Sequence, residues 1–260
     1  MGSAQVQGEL WGAAPEDWAE LQEPTGGPLY DATFDRIGAA HGTQLLDVGC
    51  GSGVALELAS KRGAVLAGID ASAGLLGVAR SRLPEADLRQ GDLEALPFDD
   101  AGFDAVTAFN SVQYAADPVA ALREIKRVAR TGAPVAVASW GDPDRCQARP
   151  VLAAMGALLP PPPAGAGGPF ALAAPGALEA LIESAGLSAE EAFEVATPFE
   201  YWDLEAAVRA NLSSGPGRAA IIHAGRDAAG DAVAAALEPF VRPGGSVRLD
   251  NVMRAVVARA

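Results

Sequence analysis

The sequence predicts an α/β protein built on a doubly wound, mostly parallel sheet. Short apolar runs alternate with stretches of helical spacing from residue 44 to residue 140. The runs are apolar throughout, as strands are when helices cover both faces of the sheet. The first run empties into a glycine cluster, Gly49-Cys50-Gly51-Ser52-Gly53, which suits a tight strand-to-helix turn.

The elements follow in order. Gln44-Leu45-Leu46-Asp47-Val48 reads as a buried strand, and Val54, Leu56, Leu58 and Ala59 give residues 54–62 a helical face. Val65 to Asp70 is the second strand. Ser72 is the candidate N-cap of a helix over 72–82. Ala86 to Gln90 is a third, weaker strand, and Phe103 to Phe109 a fourth. Asp117-Pro118 opens the next helix as cap and first-turn proline, with Leu122, Ile125, Val128 and Ala129 on its buried face. Gly132 ends it, and Ala133 to Trp140 is the fifth strand.

Beyond Trp140 the alternation fails. Residues 141–174, with Pro160 to Pro163, read as a loop or lid, and 175–186 as a helix ending at Gly186. Residues 191–199 give a sixth strand. Residues 203–240 are helical, interrupted at Ser213-Ser214-Gly215-Pro216-Gly217. Ser246 to Arg259 is a final strand, antiparallel and bulged or frayed at that length. Before the sheet, Trp11, Trp18, Leu21, Leu29, Tyr30, Phe34 and Ile37 punctuate a polar stretch broken by Pro24 and Gly26-Gly27-Pro28. The expected division is therefore a helical cover at 1–43, a core at 44–140, and a remainder at 141–260 with lid insertions at about 141–174 and 200–243.

Composition narrows the function. The formal charge of -14 over 260 residues opposes a polyanionic partner, so no nucleic acid is expected. Cys50 and Cys146 lie too far apart for a metal-ligand spacing, and they suggest no disulfide framework. No metal is expected, Asp99-Asp100 reading as a solvated turn. The first thirty residues lack the features of a signal peptide. No apolar run approaches the ~18 residues of a membrane helix. Met1-Gly2-Ser3 begins like a myristoylation signal, but Val6 stands where Ser or Thr is wanted. A cytoplasmic monomer or homodimer acting on a small molecule, away from membranes, is the expectation.

The glycine loop is the most informative stretch. A dinucleotide fingerprint, G-x-G-x-x-G, would put its third glycine at position 54, which is valine here. The third glycine, Gly53, comes one place early, and Asp47 stands where dinucleotide folds keep an apolar residue. Acidic-x-Gly-x-Gly-x-Gly resembles the first motif of class I S-adenosylmethionine methyltransferases. Further resemblances follow in that family's order: Asp70 ending the second strand, Gly91-Asp92-Leu93 after the third, Phe103-Asp104-Ala105-Val106, and Leu122 to Val128. They cover about residues 44–140 and are nearest the ubiquinone/menaquinone-biosynthesis-like branch.

The resemblance implies a Rossmann-like, seven-stranded, mostly parallel sheet with a helical cap, and S-adenosyl-L-methionine as cofactor. It implies that Asp47, Gly49, Gly51 and Gly53 form the loop around the cofactor's methionine end. Asp70, beside Ala71, would take the ribose hydroxyls. Asp92 and the amide of Leu93 would meet the adenine, and Asn110, at the end of the fourth strand, would also bind the cofactor. Many members carry a histidine just before the aspartate that corresponds to Asp117; here those places hold Gln113 and Tyr114, so a catalytic histidine is not carried over.

His223 and Tyr114 remain as candidate catalytic side chains, His223 reading first as a half-buried lid residue and otherwise as a general base over the substrate. Trp140, Gln113 and Tyr30 are candidate substrate contacts, with Trp140 readable as simple packing. Trp11, Phe170 and Phe199 could add to an apolar wall. The expected reaction is methyl transfer to a small, largely apolar molecule, secondary-metabolite or quinone-like. A non-methylating cyclisation or elimination on the same fold is the alternative. A non-catalytic module and an NAD-dependent oxidoreductase rank lower, the latter because of Asp47 and Val54.

Overall fold

The computed structural model describes residues 3–161 and 168–260. Pro162 and Pro163 of the proline run, residues 164–167 of the expected lid, and Met1-Gly2 lie outside the described residues. The chain opens with α1 (Ala4–Trp11) and α2 (Pro15–Asp17). A π turn, Trp18–Gln22, and a 3-10 turn, Glu23–Gly26, then lead into α3 (Gly27–Ile37). Pro15, Pro24 and Pro28 each occupy the first two positions of a turn or helix, where a missing N–H breaks no ladder bond.

The alternating part then runs β1 (Gln44–Val48), α4 (Val54–Lys61), β2 (Val65–Asp70), α5 (Ala73–Arg82), β3 (Asp87–Gln90) and β4 (Ala105–Phe109). It continues with α6 (Pro118–Val128) and β5 (Pro134–Trp140). Asp117 caps α6 by accepting from the amides of Val119 and Ala120, and Ser72 caps α5 by accepting from Leu75. The remainder is α7 (Arg149–Gly156), α8 (Ala177–Ser184), β6 (Ser188–Ala196), β7 (Phe199–Tyr201), α9 (Leu204–Leu212), α10 (Gly215–Ala224), α11 (Arg226–Leu237), β8 (Val247–Leu249) and β9 (Val252–Arg259).

Seven strands form one sheet in the order β3-β2-β1-β4-β5-β9-β6. β9 is antiparallel to both β5 and β6, and the other pairings are parallel. This is the doubly wound, mostly parallel sheet that the resemblance implies. Successive side chains of β1 enter opposite cores, which explains its unbroken apolar run. Leu45 joins Phe34, Ile37, Leu56 and Ala136 on one face. Leu46 joins Val106, Leu122, Ile125, Val135 and Ile182 on the other.

The structure corrects the sequence reading after Trp140. The expected strand 246–259 is two strands in different sheets: β8 pairs with β7, and β9 enters the main sheet. Asn251 makes the break. It is buried, accepts from the Ala148 amide through Oδ1, and donates to the Leu249 carbonyl through Nδ2. Its carbonyl also accepts from the Thr197 amide, so the bend is pinned on three sides. The expected strand 191–199 divides likewise: β6 ends at Ala196, and Phe199 already belongs to the small sheet. Pro198, which has no N–H to donate, stands in the gap. Within the expected loop 141–174 lies a true helix, α7, seated on its buried Val151 and Met155.

The helices outside the sheet meet one another over its carboxyl edge. α1 packs on α10, α9 on the turn at Trp18–Gln22, and α7 on both α10 and α11. Among the described residues no helix is long and apolar enough to cross a membrane.

Candidate functional site

The site begins where β1 ends. Gly49 has φ +84°, and a Cβ there would stand 2.3 Å from the Cβ of Ser111, so only glycine lets the two loops meet. Ser111 completes the contact by donating to the Val48 carbonyl at 2.6 Å. The amides of Gly49 and Cys50 both reach the Ile69 carbonyl on β2. Asp70, the last residue of β2, holds the loop from the other side. Its Oδ2 accepts from the Gly51 amide at 2.9 Å and its Oδ1 from the Ser72 amide at 2.8 Å.

A third acid meets the loop from the N-terminal turn. Glu23 is buried, and its Oε2 and Oε1 accept from the amides of Ser52 and Val54 at 2.9 and 3.1 Å. It therefore satisfies two otherwise unpaired donors at the start of α4. Sequence reasoning missed this residue. The available signal was an acid between apolar Leu21 and Leu29, directly before Pro24, in a stretch otherwise read only for its hydrophobic punctuation.

Glu23, Asp47 and Asp70 thus converge around one glycine loop. Burial raises the Asp47 carboxyl to about 7; the neighbouring carboxylates of Glu23 and Asp70 push the same way, and a hydrogen bond from Thr107 opposes them. Burial likewise raises Glu23 and Asp70, against the hydrogen bonds they receive. Arg82 is the nearby counter-charge, but its guanidinium is engaged by the Ser52 carbonyl and hydroxyl and by Glu57. A region this rich in carboxylate favours a cationic ligand.

One cavity is lined both by the loop and by the cap. Asp47, Gly49, Gly51, Asp70, Ala71, Asp92, Leu93 and Asn110 all line it, with Glu23 beside them. Asn110 holds φ +50°, a left-handed conformation at the very end of β4. The lining also holds aromatic and aliphatic side chains, Trp11, Trp18, Tyr114, Trp140, Leu152, Phe199 and Met253, with Tyr30 beside Glu23, to whose carbonyl its hydroxyl donates at 3.4 Å. Trp11 meets Trp18 and Tyr114 edge-on at 4.8 and 5.4 Å, and Trp140 meets Phe199 at 5.8 Å.

Several named residues stand elsewhere. Gly53 is behind the loop, where a Cβ would press on Ala79 of α5 and on Leu83 just after it. Gln113 is half-buried beside the cavity and donates to Asn110 Oδ1 at 3.2 Å without lining the wall. Phe170 packs on Trp140 at 5.2 Å from outside the lining. The expectation for His223 is corrected: it lies in the last turn of α10, exposed and outside the lining. The helix that covers the cleft turns its first residues inward, Ser214 and Pro216 among them, and leaves its end in solvent. Tyr114 does line the cavity, but burial pushes its phenol up to about 12, so it is no base near neutral pH.

Known proteins agree with this geometry. Residues 46–137 match the family model described as a methyltransferase domain. The chain is 38% identical over 109 residues to a demethylmenaquinone methyltransferase of Renibacterium salmoninarum, an alignment covering 42% of this chain and 46% of that one. It shares its fold with a SAM-dependent methyltransferase from Aquifex aeolicus, at TM-score 0.54 and 20% identity over 70% of this chain and 92% of the other. The [4+2]-cyclase SpnF aligns over 89% of this chain and 79% of its own, at TM-score 0.56 and 20% identity. Residues 46–137 thus resemble a methyltransferase domain, and the sheet is the class I methyltransferase fold, which points to S-adenosylmethionine as cofactor. The chain spans under half the length of the first of these relatives, so the reaction of the whole protein is a matter for proposal.

Proposed function

We propose that this protein transfers a methyl group from S-adenosylmethionine to a small, largely apolar molecule. The observation that carries the reading is one cavity whose lining joins the buried carboxylates of the glycine loop to a set of aromatic side chains. The acidic lining fits the cofactor: its sulfonium and ammonium are cations, and Asp47, Asp70 and Glu23 surround the loop with buried negative charge. Gly49 and Gly51 leave backbone, without side chain, facing the cavity. Asp70 and Ala71 would hold the ribose, and Asp92 with Leu93 the adenine. When bound, the cofactor supplies an electrophilic methyl carbon.

The chain's own contribution is positioning and exclusion of water. Trp140, Tyr30 and Phe199 would hold an apolar acceptor, while Trp11, Trp18 and Tyr114 close the cavity above it. Holding two partners in reactive geometry can contribute roughly 7–11 kcal/mol to a displacement. With the Tyr114 phenol held up to about 12 and His223 in solvent, neither serves as the base, so the acceptor atom is one already nucleophilic at working pH.

The test is calorimetry and native mass spectrometry of the purified protein with S-adenosylmethionine, S-adenosylhomocysteine and NAD. Binding of both methionine nucleosides without NAD is expected; NAD binding alone overturns the reading. The lack of a ready base also suits a second reading, a non-methylating cyclisation or elimination. Formation of S-adenosylhomocysteine in step with product separates the two. His223→Gln should leave turnover and its pH profile unchanged, and a loss of activity there would restore the base role.

A further inference from the structure

Five side chains bury a polar atom that finds no hydrogen-bond partner among the described residues: Gln113, Ser139, Glu179, Thr197 and Arg254. Of these, Thr197 alone lines the cavity. It follows β6 at the point where the chain leaves the main sheet for β7, and it is fully buried. Its amide is fixed by the Asn251 carbonyl at 2.9 Å, so the backbone position is set. Its Oγ1 is the part left unpaired.

That state departs from the rest of the molecule. The other fully buried threonines use their hydroxyls: Thr33 donates to the Leu29 carbonyl at 2.8 Å and Thr107 to Asp47 at 2.7 Å. A buried hydroxyl without a partner is unfavourable, and valine would have the same shape without that penalty. The lining residues tied to this corner, Ala148, Trp140, Phe199 and Met253, are apolar. Asn251 ties both Thr197 and Ala148 to one point, and Met253 pairs in register with Val195, two residues before Thr197, and with Trp140. Phe199, two residues after it, lies against the Trp140 ring. An unpartnered hydrogen-bonding group next to aromatic and aliphatic lining residues is a pattern by which a largely apolar pocket fixes orientation.

We propose that Thr197 Oγ1 is the polar anchor of the acceptor site, selecting a flat, apolar ring compound that presents one hydroxyl or carbonyl oxygen beside Trp140 and Phe199. The hydroxyl can accept from a hydroxyl or donate to a carbonyl, so both oxygen types fit it. This rests on the reading of the cavity as a methyl-acceptor site and narrows its substrate class. A site built around such a bond discriminates against analogues that lack the oxygen, because its own group is then left buried and unpaired.

The test uses the full chain saturated with S-adenosylhomocysteine. The probes are 2-naphthol, 2-acetylnaphthalene and the oxygen-free 2-methylnaphthalene, with affinities from tryptophan fluorescence. The oxygenated probes should bind the parent protein at least about tenfold more tightly than 2-methylnaphthalene. Thr197→Val should bring that ratio to within about threefold of unity, leave S-adenosylhomocysteine affinity unchanged and keep or raise the melting temperature. Thr197→Ser, which keeps the hydroxyl, should retain the preference. An unchanged ratio in Thr197→Val, or failure of the parent to bind any probe, overturns the proposal. A fall in melting temperature with the ratio intact also overturns it, since the hydroxyl would then serve the fold. Failure of the parent to bind S-adenosylhomocysteine instead overturns the methyltransferase reading, and calorimetry before the probes are added reports it separately.

Discussion

Glu23 decides the electrostatics of the glycine loop. Its carboxylate accepts two amides at the start of α4, where a formal negative charge is favoured, yet it lies in the same buried region as Asp47 and Asp70. A cation entering the cavity relieves that crowding, and a neutral ligand does not. Glu23→Gln should therefore weaken S-adenosylmethionine by about tenfold and its neutral-sulfur product by less, narrowing the preference between them. Calorimetry with both ligands measures it, and equal loss for the two would make Glu23 a cap of α4 alone. Glu23 was missed in the sequence because its partners, the amides of Ser52 and Val54, are 29 and 31 residues away. Asp47 was legible because it stands beside the glycine loop, two residues before Gly49, and Asp70 because it ends the second strand, where the motif order of the resemblance places an acid.

At the scale of elements, α1 is the cover whose seat is most constrained. A Cβ on Gly8 would stand 2.5 Å from the Ala71 carbonyl oxygen, and one on Gly12 would stand 2.6 Å from Ser72 Oγ. On its other side α1 meets α10, where a Cβ on Gly215 would strike the Trp11 ring at 2.7 Å. Neither backbone nor indole can retreat far, so the helix docks only with glycine at these points. Gly8→Val should lift α1 from Ala71 and weaken S-adenosylhomocysteine binding by roughly tenfold. It should also speed hydrogen exchange across Ala4–Trp11 while leaving exchange in β1 and β4 unchanged. Protection of Ala4–Trp11 equal to the parent's would show that the helix tolerates the side chain. Nothing near Gly8 in the sequence announces this use, because the contact is with Ala71 in a loop after the second strand.

For the whole molecule, burial of like charge makes stability depend on pH. Burial first, then the Glu23 and Asp70 carboxylates, raises Asp47 in the folded protein to about 7, above its ordinary range. A carboxyl raised in this way binds more protons folded than unfolded, so stability falls as pH rises through the window from about 4 to about 7. Glu23 and Asp70, also raised by burial, act in the same direction. The ligand-free protein should melt a few degrees higher at pH 5.5 than at pH 8, in line with the ~2–4 °C that 1 kcal/mol shifts a chain of this size. Asp47→Asn should flatten the trend, and thermal scans across pH in the parent and variant test it. A melting temperature that rises from pH 5.5 to pH 8 would contradict the assignment of charge crowding to this loop.

The sequence by itself determined the first five strands, the helices between them, the glycine loop with Asp47 and Asp70, and the cofactor class. The strands, caps and turns among these are local: a strand's apolar run, a cap such as Ser72 or Asp117, and a turn that only glycine permits are each written within about ten residues, and the cofactor class follows from the order of such motifs along the chain. The tertiary structure alone decided the rest. The break at Asn251 depends on Ala148, more than 100 residues earlier, so no periodicity within 246–259 announces it. His223 lies beyond the turns that face the cleft because α10 is docked by its start, through Gly215 on Trp11. Glu23 and Thr197 gain their meaning only from what surrounds them, a ring of carboxylates for one and an apolar wall for the other. Such environments are assembled from distant segments, and their energetics depend on burial that a linear pattern does not record.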